Sequence, residues 1–310
     1  MSTNPPTTLP QMLPHVILQK GKAEATIYIR GATLSSFTVS GIEWLGTRGD
    51  AKFDGSKKNV SGGIPICFPQ FGHGDFFGRD IPNPENPYDI PVHGLVRNMD
   101  WTLLDEDDHD DDDGSSRSSR SSSSSSQSCK SACLLEVHDT EESRKVWPHK
   151  FSCRCHVRIE DDKLLWSFLV KNTSISSPFD FTCGVHTYFH TSDVDQARIT
   201  GPFKECTKLN RTVDPPEQET YHAHDVRITA FTDDIYRAVL PGTVTLHDGT
   251  KSPLRIVSAG GWQDIVVWNP YGNSELGYKS FVCIESVASR AITLQPEDTW
   301  SASVTLIPAI

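Results

Sequence analysis

Alternation of apolar and polar residues is the dominant pattern in the second half of the chain. The odd-numbered positions of 151–159 are apolar and the even-numbered ones are polar. Large apolar residues then recur at every second position of 164–170, after the turn at Asp161-Asp162. A period of two is typical of a β-strand with one buried face. These segments therefore predict two consecutive strands joined by that turn.

Shorter runs of the same kind recur along the chain, with turn residues between them. The other predicted strands are 23–30, 33–39, 42–45, 101–104, 132–138, 179–182, 198–200, 243–247, 254–257, 264–268, 281–285 and 303–307. Apolar spacing of the helical kind is nearly absent. Many short strands separated by turns predict an all-β sandwich rather than an α/β fold.

Three segments depart from the strand pattern. Residues 1–14 are rich in Pro and Thr and are expected to be unstructured, whereas residues 15–310 are expected to form one domain. Within that domain, residues 105–131 join an acidic run to a serine tract, and this composition predicts a disordered insertion between two strands. The third segment, 46–99, is a long stretch dense in Gly, Pro and Asn, and loops of this length in compact domains are usually functional.

The formal net charge of −11 comes largely from eight carboxylates in residues 105–113. A basic surface is missing, which argues against binding to nucleic acid or to an anionic membrane. No apolar run approaches the roughly 18 residues that span a bilayer, and the first residues lack the pattern of a secretory signal. We therefore expect a cytoplasmic monomer whose partner is a small molecule.

The eight cysteines are spread between Cys67 and Cys283 without any Cys-x-x-Cys pair. Most of them fall within apolar alternating runs; Cys153 and Cys155, for example, share a strand face with Phe151 and Val157. Small buried thiols in a reducing compartment explain this distribution better than a disulfide framework.

A carboxylate and an imidazole end or interrupt two of the apolar runs. Glu285 closes the run 281–285, and strand alternation places it on the same face as Phe281 and Cys283. Removing a carboxylate from water raises its pKa toward the range that a general base needs. His186 lies in a second alternating stretch, 184–190. If the two strands meet over one pocket, these side chains would form an acid–base pair.

A metal site is an alternative use of this histidine. His186 and His190 are four residues apart, which puts both on one face of a strand with Tyr188 between them. Zinc needs three or four ligands, however, and no matching Cys, Asp or Glu cluster stands out. We therefore predict neither a metal nor a cofactor.

Further candidate contacts for a ligand lie in loops and at strand ends. The loop 61–72 holds two glycines and two prolines, and the loop 93–98 holds an imidazole, a guanidinium and an amide. Asp233 and Asp264 add carboxylates near strand ends. Carbohydrates are bound by such polar groups together with a flat apolar face, which Trp268 could provide, although a Trp in such a run is more often part of a core.

Six of these blocks occur in a specific order. They are Gly62-Gly63-Ile64-Pro65-x-Cys67-Phe68-Pro69, His93-Gly94-Leu95-x-Arg97-Asn98, His186-Thr187-Tyr188-Phe189, Asp233-x-Ile235-Tyr236, Trp268-Asn269-Pro270 and Cys283-x-Glu285. Together they resemble the glucose-6-phosphate 1-epimerases, which are hexose-6-phosphate mutarotases of the aldose 1-epimerase superfamily. The resemblance extends from about Leu18 to Thr305, apart from the acidic and serine-rich insertion.

This resemblance implies a galactose mutarotase-like β-sandwich, or supersandwich, with the sugar in a cleft on one sheet. It implies catalytic roles for His186 and Glu285, and contacts with the sugar or its phosphate for Arg97 and Asp233. His93 matches a histidine that lines the pocket in the wider superfamily.

Two positions depart from the family pattern. Members usually have Arg directly before Gly-Gly-Ile-Pro, where it helps to hold the phosphate, and this chain has Ser61, which we keep as a candidate substrate contact. Members often have Gln before His-Gly, and this chain has Val92. One cation and one amide are therefore lost from the expected phosphate site. Arg97 remains, and the other cations that could replace the lost one are Arg48, Lys57, Lys58 and Arg79.

The sequence leads to the hypothesis of a mutarotase for hexose 6-phosphates, an isomerase. In this hypothesis Glu285, as a carboxylate, takes the proton from the C1 hydroxyl, and His186, as an imidazolium, protonates the ring oxygen. Two alternatives stay open: an aldose 1-epimerase for unphosphorylated sugars, and a non-catalytic sugar-binding protein on the same fold.

Overall fold

The computed structural model describes residues 12–57, 59–72, 88–104 and 130–309. The predictions of an unstructured N-terminus over 1–14 and of a disordered insertion over 105–131 fall almost entirely outside these residues. Lys58 and Arg79, two of the cations considered for the phosphate site, also lie outside them.

Strands dominate the described part of the chain, as the alternating pattern predicts. They are β1 (His15–Lys20), β2 (Ala23–Tyr28), β3 (Thr33–Val39), β4 (Ile42–Glu43), β5 (Ile66–Cys67), β6 (Thr102–Leu104), β7 (Ala132–His138), β8 (Phe151–Glu160), β9 (Lys163–Asn172), β10 (Phe179–Val185), β11 (Tyr188–His190), β12 (Arg198–Thr200), β13 (Cys206–Asn210), β14 (Glu217–Tyr221), β15 (Asp225–Val226), β16 (Thr232–Tyr236), β17 (Gly242–His247), β18 (Leu254–Gly260), β19 (Asp264–Asn269), β20 (Phe281–Leu294) and β21 (Thr299–Pro308). The prediction of an all-β fold is confirmed.

Helices are few and short in these residues. One α-helix, α1 (Glu141–Val146), begins at a capping box in which Thr140 and Ser143 exchange side-chain and backbone hydrogen bonds. Turns of 3₁₀ helix span Val96–Asn98, Val194–Gln196 and Tyr278–Ser280. Within the described ranges, no helix is long and apolar enough to cross a membrane.

The strands form three antiparallel sheets. A four-stranded sheet has the order β1-β2-β3-β4, and a nine-stranded sheet has the order β15-β12-β17-β18-β21-β9-β8-β7-β6. The third sheet has eight strands in the order β14-β13-β16-β19-β20-β10-β5, and β11 pairs with β20 as well. The long central strand β20 therefore has β19 on one side and both β10 and β11 on the other.

A core of buried apolar residues joins the three sheets. The alternating faces of β8 and β9 meet in register, with Cys155 opposite Phe168, and both residues point into this core. Phe68, from the long loop, lies at its centre, within 5.5 Å of the ring centres of Trp147, Phe151 and Phe181. The thiol prediction is confirmed for the seven described cysteines, which are free and, apart from the half-buried Cys206, buried. The eighth, Cys129, lies outside the described residues.

Two glycines let the long loop lie flat against the strands. Gly63 has φ of +66°, and a Cβ atom there would lie 1.9 Å from the carbonyl oxygen of Leu34. Gly94 has φ of +81°, and its Cβ would lie 2.1 Å from the carbonyl oxygen of Phe68. Only glycine combines this conformation with so close an approach. The segments on either side of Gly63 and Gly94 are thereby held over the eight-stranded sheet.

Candidate active site

Glu285 lies in the middle of the eight-stranded sheet and faces a cavity. It is the fifth residue of β20 and is opposite Val266 of β19. Its carboxyl group is only 1 % exposed to solvent. Oε1 lies 3.4 Å from Nδ1 of His186, whereas Oε2 has no hydrogen-bond partner among the described residues. A buried carboxyl oxygen without a partner is rare in folded proteins and is typical of a functional site.

His186 reaches the same place from the neighbouring strand. β10 ends at Val185, opposite Ser286 of β20, so the next residue arrives beside Glu285. The backbone N–H of His186 donates to the carbonyl oxygen of Pro65 at 3.0 Å, which fixes the chain where it leaves the strand. The imidazole stacks on Tyr188 with ring centres 4.8 Å apart. The ring is thus held between the sheet and the loop above it.

The cavity in front of this pair has a volume of about 250 Å³. Sites for drug-sized ligands run from roughly 300 to 1,000 Å³, so this one suits a ligand as small as a monosaccharide. Aromatic rings form its walls. Trp268 is half-buried and meets His186 edge-on at 5.6 Å. His93 meets the same imidazole at 5.1 Å and Phe71 at 5.5 Å, measured between ring centres.

Three guanidinium groups also line the cavity. Arg48 holds both carboxylate oxygens of Asp50 at 2.8 Å, and Arg211 is hydrogen-bonded to Asp233, with Nε 3.2 Å from Oδ1. Arg97 belongs to the 3₁₀ turn Val96–Asn98 that follows Gly94. Two of these guanidinium groups are thus paired with carboxylates at the cavity wall, and guanidinium N–H donors are the ones that match carboxylates and phosphates.

The burial of the central pair favours the neutral form of each group. Burial raises the pKa of Glu285 well above its usual value, and Asp233 adds to this rise, while Arg211 and Arg97 oppose it. Burial, reinforced by the charge of Arg97, lowers the pKa of His186 to about 3. Both shifts favour the state in which the carboxyl group keeps its proton and the imidazole is neutral. The sequence-based hypothesis starts from the opposite state, with the proton on the imidazole, because it took account of the burial of the carboxyl group but not of the imidazole.

Five of the seven predicted site residues come together around this cavity. His186, Glu285, Arg97, Asp233 and His93 all line it. They come from β16, β20, the chain after β10 and the two turns next to Gly94, separated by up to about two hundred residues. Tertiary folding alone brings them into contact distance.

Ser61 and Asp264, the other two predicted contacts, do not line the cavity. The carbonyl oxygen of Ser61 accepts the backbone N–H of Arg48 at 3.0 Å, and its hydroxyl lies 3.5 Å from Asn59. Asp264 is fully buried opposite Val287, and accepts hydrogen bonds from the backbone N–H of Ala238 and from Ser289. On β19, Asp264 lies two positions from Val266, the residue opposite Glu285. Its carboxylate therefore binds these partners instead of reaching the cavity.

His190 lies apart from the pair. It belongs to β11, and its Nδ1 lies 3.3 Å from the ammonium group of Lys251, next to Trp44. A neighbouring ammonium opposes the binding of a metal cation. The alternative of a metal held by His186 and His190 therefore has no support from the geometry.

Sequence reasoning missed Arg211 entirely. This residue directly follows β13, in a polar stretch without periodicity, and nothing local distinguishes it from a solvated arginine. Its backbone N–H donates to the carbonyl oxygen of Asp233, and its guanidinium binds the carboxylate of the same residue. Pairing between β13 and β16 is what creates this contact.

The antiparallel sheets and a small polar cavity built on a His–Glu pair are the features expected of a carbohydrate epimerase, and the comparison with known families shows that class. The family model for aldose 1-epimerase matches residues 14–306, and the chain belongs to that family. A protein of Cenchrus ciliaris named "Putative glucose-6-phosphate 1-epimerase" is 29% identical over 297 residues, covering 91% of this chain and 80% of its own. A protein of the same name from Escherichia coli K12 is 25% identical over 284 residues, covering 87% and 82%.

The fold also matches solved structures. The crystal structure of a "putative mutarotase" from Salmonella typhimurium superposes with a TM-score of 0.70 at 20% identity, covering 94% of this chain and 88% of its own. At this identity the likeness shows the fold, and it confirms the prediction of a galactose mutarotase-like β-sandwich.

Proposed function

We propose that the protein interconverts the α and β anomers of hexose 6-phosphates, with glucose 6-phosphate as the first candidate. The observation that carries this proposal is the buried pair of His186 and Glu285, 3.4 Å apart, in a sugar-sized cavity lined by three guanidinium groups. The names of the two relatives in Cenchrus ciliaris and Escherichia coli point to the same substrate.

The reaction needs one group that accepts a proton and one that donates a proton. Glu285, as a carboxylate, takes the proton from the C1 hydroxyl while His186, as an imidazolium, gives a proton to the ring oxygen. The bond from C1 to the ring oxygen breaks, and C1 becomes an aldehyde. Rotation about C1–C2 followed by the reverse transfers closes the ring as the other anomer. No net proton is gained or lost, so one proton held by the pair suffices.

The mechanism uses the pair with its proton on His186. Burial and the three arginines lower the pKa of His186, and burial raises that of Glu285, so this charge state costs free energy in the buried pair. The C1 hydroxyl and the ring oxygen of a bound sugar offset that cost, because they hydrogen-bond to the carboxylate and to the imidazolium.

Arg48 replaces the cation that the family usually has at position 61. The backbone N–H of Arg48 is bonded to the carbonyl oxygen of Ser61, so the two residues are neighbours across a β-bridge region. The guanidinium of Arg48 therefore enters the cavity from the adjacent segment while the small Ser61 stays out of it. Asp50 holds one side of this guanidinium, and the N–H donors on its other side supply the charge-assisted contact with a phosphate oxygen.

A mutarotase for unphosphorylated aldoses is the second candidate. Arg48 is already held by Asp50 and Arg211 by Asp233, and such pairing could serve only to hold the cavity walls. In that case Asp233 and Trp268 would bind the sugar itself. This alternative predicts no advantage for the phosphorylated sugar.

Nuclear magnetic resonance of the anomeric proton signals measures how fast the two anomers interconvert, and this rate tests both candidates. The rate is measured on glucose and on glucose 6-phosphate, above the spontaneous background, for the wild type and for His186→Gln. The proposal expects kcat/KM at least about tenfold higher for the phosphorylated sugar, since charge-assisted hydrogen bonds are worth about 1.5–3 kcal/mol each. Equal values would favour the second candidate, and sugar binding without faster exchange would leave only a binding protein.

A further inference from the structure

A third potential metal ligand lies beside the His–Glu pair. Cys283 is two residues before Glu285 on β20, so both side chains point to the same face of the sheet. His186, Cys283 and Glu285 each offer one potential ligand atom, and these three atoms lie within 4.8 Å of one another. In the part of the chain that the structure describes, no other group of this kind is found.

The register of the sheet explains this arrangement. Cys283 is opposite Trp268 on β19 and opposite Tyr188 on β11, and it packs with both rings. The thiol is fully buried against these two rings, which line the cavity, while Cys283 itself does not line it. The mechanism proposed above has no use for this thiol.

Two atoms of the cluster have unfilled hydrogen-bonding capacity. Nδ1 of His186 and Oε2 of Glu285 are buried, and neither has a hydrogen-bond partner among the described residues. Glu285 is only 1 % exposed to solvent, and its carboxyl group points at the imidazole. Burying polar atoms in this way is unfavourable unless a ligand completes them.

Two of the three donors are spaced as zinc requires. Tetrahedral zinc binds nitrogen and oxygen ligands at about 2.0–2.1 Å, which places those two atoms about 3.3 Å apart. Nδ1 of His186 and Oε1 of Glu285 are 3.4 Å apart. Binding releases the protons of the Cys283 thiol and the Glu285 carboxyl group to solvent. The resulting thiolate and carboxylate balance the charge of Zn²⁺, so the nearby guanidinium groups face a neutral complex. Three protein ligands leave the fourth position open toward the cavity.

We propose that Zn²⁺ binds to His186, Cys283 and Glu285 and inhibits the protein by occupying its acid–base pair. Binding of zinc to these residues does not depend on the activity. The inhibitory effect rests on the proposed function, because it requires that the same histidine and glutamate carry out the anomer exchange.

Metal binding is tested first, on the full chain and without any assay of activity. Zn²⁺ is titrated against a chromophoric chelator, and Co²⁺ is titrated in the near ultraviolet, where a cobalt–thiolate bond gives a charge-transfer band. We expect one Zn²⁺ per chain and a cobalt–thiolate band in the wild type. We expect Cys283→Ala to bind Zn²⁺ at least about tenfold more weakly and to lack the band, since even residues outside the first ligand shell change metal affinity by about 10–100-fold.

Cys206→Ser is the matched control. Cys206 is half-buried at the start of β13 and is the most exposed of the described cysteines, so an adventitious metal would bind there. Zinc affinity that is unchanged in Cys283→Ala, or lost in Cys206→Ser, would overturn the proposal. If alanine at position 283 prevents folding, Cys283→Ser keeps the volume and should show the same loss. Absence of the cobalt band in the unaltered protein would also overturn the proposal.

Inhibition is measured by anomer exchange at free Zn²⁺ concentrations set by a metal buffer. We expect wild-type exchange to fall as the site fills and to recover when a chelator is added. Cys283→Ala should keep its exchange without zinc and need at least about tenfold more free Zn²⁺ for the same inhibition. Full exchange by zinc-loaded wild type would refute the inhibitory effect. If no exchange occurs in any sample, the proposed function fails, and the binding experiments still decide whether zinc binds here.

Discussion

Substituting Gln for Glu285 should lower activity and raise stability at the same time. The amide has the shape of the carboxyl group but cannot accept the proton of the C1 hydroxyl. Loss of one group that transfers protons typically costs a factor of about 10²–10⁴ in rate. We therefore expect anomer exchange by Glu285→Gln to fall by at least about two orders of magnitude, with KM for the sugar changed much less.

The effect on stability follows from the burial of the carboxyl group. Burial raises the pKa of Glu285 well above its usual value, against the opposing charges of Arg211 and Arg97. A group whose pKa is raised by folding stabilises the protein below the pKa of the unfolded chain, about 4.5, and this contribution is lost as the pH rises toward the folded-state pKa. Each pH unit in that window costs the wild type up to about 1.4 kcal/mol, and the amide is free of this cost.

Thermal unfolding at about pH 5 and about pH 8 measures this difference. We expect the Tm of Glu285→Gln to exceed that of the wild type at the higher pH and the two values to approach each other at the lower one. A stability difference of 1 kcal/mol corresponds to roughly 2–4 °C in a domain of 150–250 residues. His186 changes stability in the opposite sense, because its pKa is lowered to about 3 and its contribution is lost as the pH falls from about 6.5.

Glu136→Gln is a control of opposite sign. Glu136 lies on β7, where burial would raise its pKa but hydrogen bonds from Arg154 and His138 outweigh this effect and lower it. Its substitution should therefore destabilise the protein at neutral pH. A Glu285→Gln variant with near-normal exchange, or with a Tm below that of the wild type at about pH 8, would refute the reasoning about Glu285.

Three further substitutions test separate parts of the structure. Arg48→Ala should raise KM for glucose 6-phosphate by about 10–100-fold and leave KM for glucose within about twofold, as measured by anomer exchange, because a charge-assisted hydrogen bond is worth about 1.5–3 kcal/mol; equal effects on both sugars would show that Arg48 binds no phosphate. Asp264→Ala should cost about 1–3 kcal/mol in chemical denaturation, since it leaves the buried Ala238 N–H without its acceptor, while KM stays the same; a selective rise in KM would restore Asp264 as a substrate contact. Gly94→Ala should lower Tm and weaken phosphate binding, because its Cβ would collide with the Phe68 carbonyl; an unchanged Tm would mean that the loop adapts.

The strands that the pattern predicts best are those with one fully buried face. The predicted bounds of β3 and β7 agree with the structure, and β8 and β9 follow the alternation of 151–159 and 164–170. β1 was missed, because it is an outer strand of its sheet with only Leu18 fully buried. β14 was missed for the same reason, since none of its residues is buried. Such strands exist because their neighbours offer hydrogen bonds, which no local pattern reveals.

The length of β20 is a second difference between pattern and structure. The apolar run predicts a strand over 281–285, whereas β20 continues to Leu294. Its second half mixes polar and apolar residues and is partly exposed, and it stays extended because β10 pairs with it as far as Phe179 opposite Leu294. This extension places Glu285 inside the sheet rather than at its edge, and the burial that perturbs its pKa follows from that position.

The neighbouring aspartates show the limit of local reasoning about the site. Nothing in the sequence distinguishes Asp233 from Asp234 as a cavity residue. In the structure Asp233 lines the cavity beside Arg211, whereas Asp234 is buried and lies 3.4 Å from the ammonium of Lys208. Strand alternation decides this choice, but only after pairing with β13 and β19 has fixed which face of β16 points at the cavity.

Local chemistry in the chain was enough to predict sheets, buried thiols, and the His186 and Glu285 that end or interrupt apolar strands. Side-chain alternation carries that information, because it depends only on residues two apart. Strand register and burial decide the rest of the site. They set the charge states of the pair, bring Arg48 and Arg211 to the cavity, keep Ser61 out of it and place Cys283 beneath two rings. Those are properties of segments distant in sequence, and they exist only once the sheets have assembled.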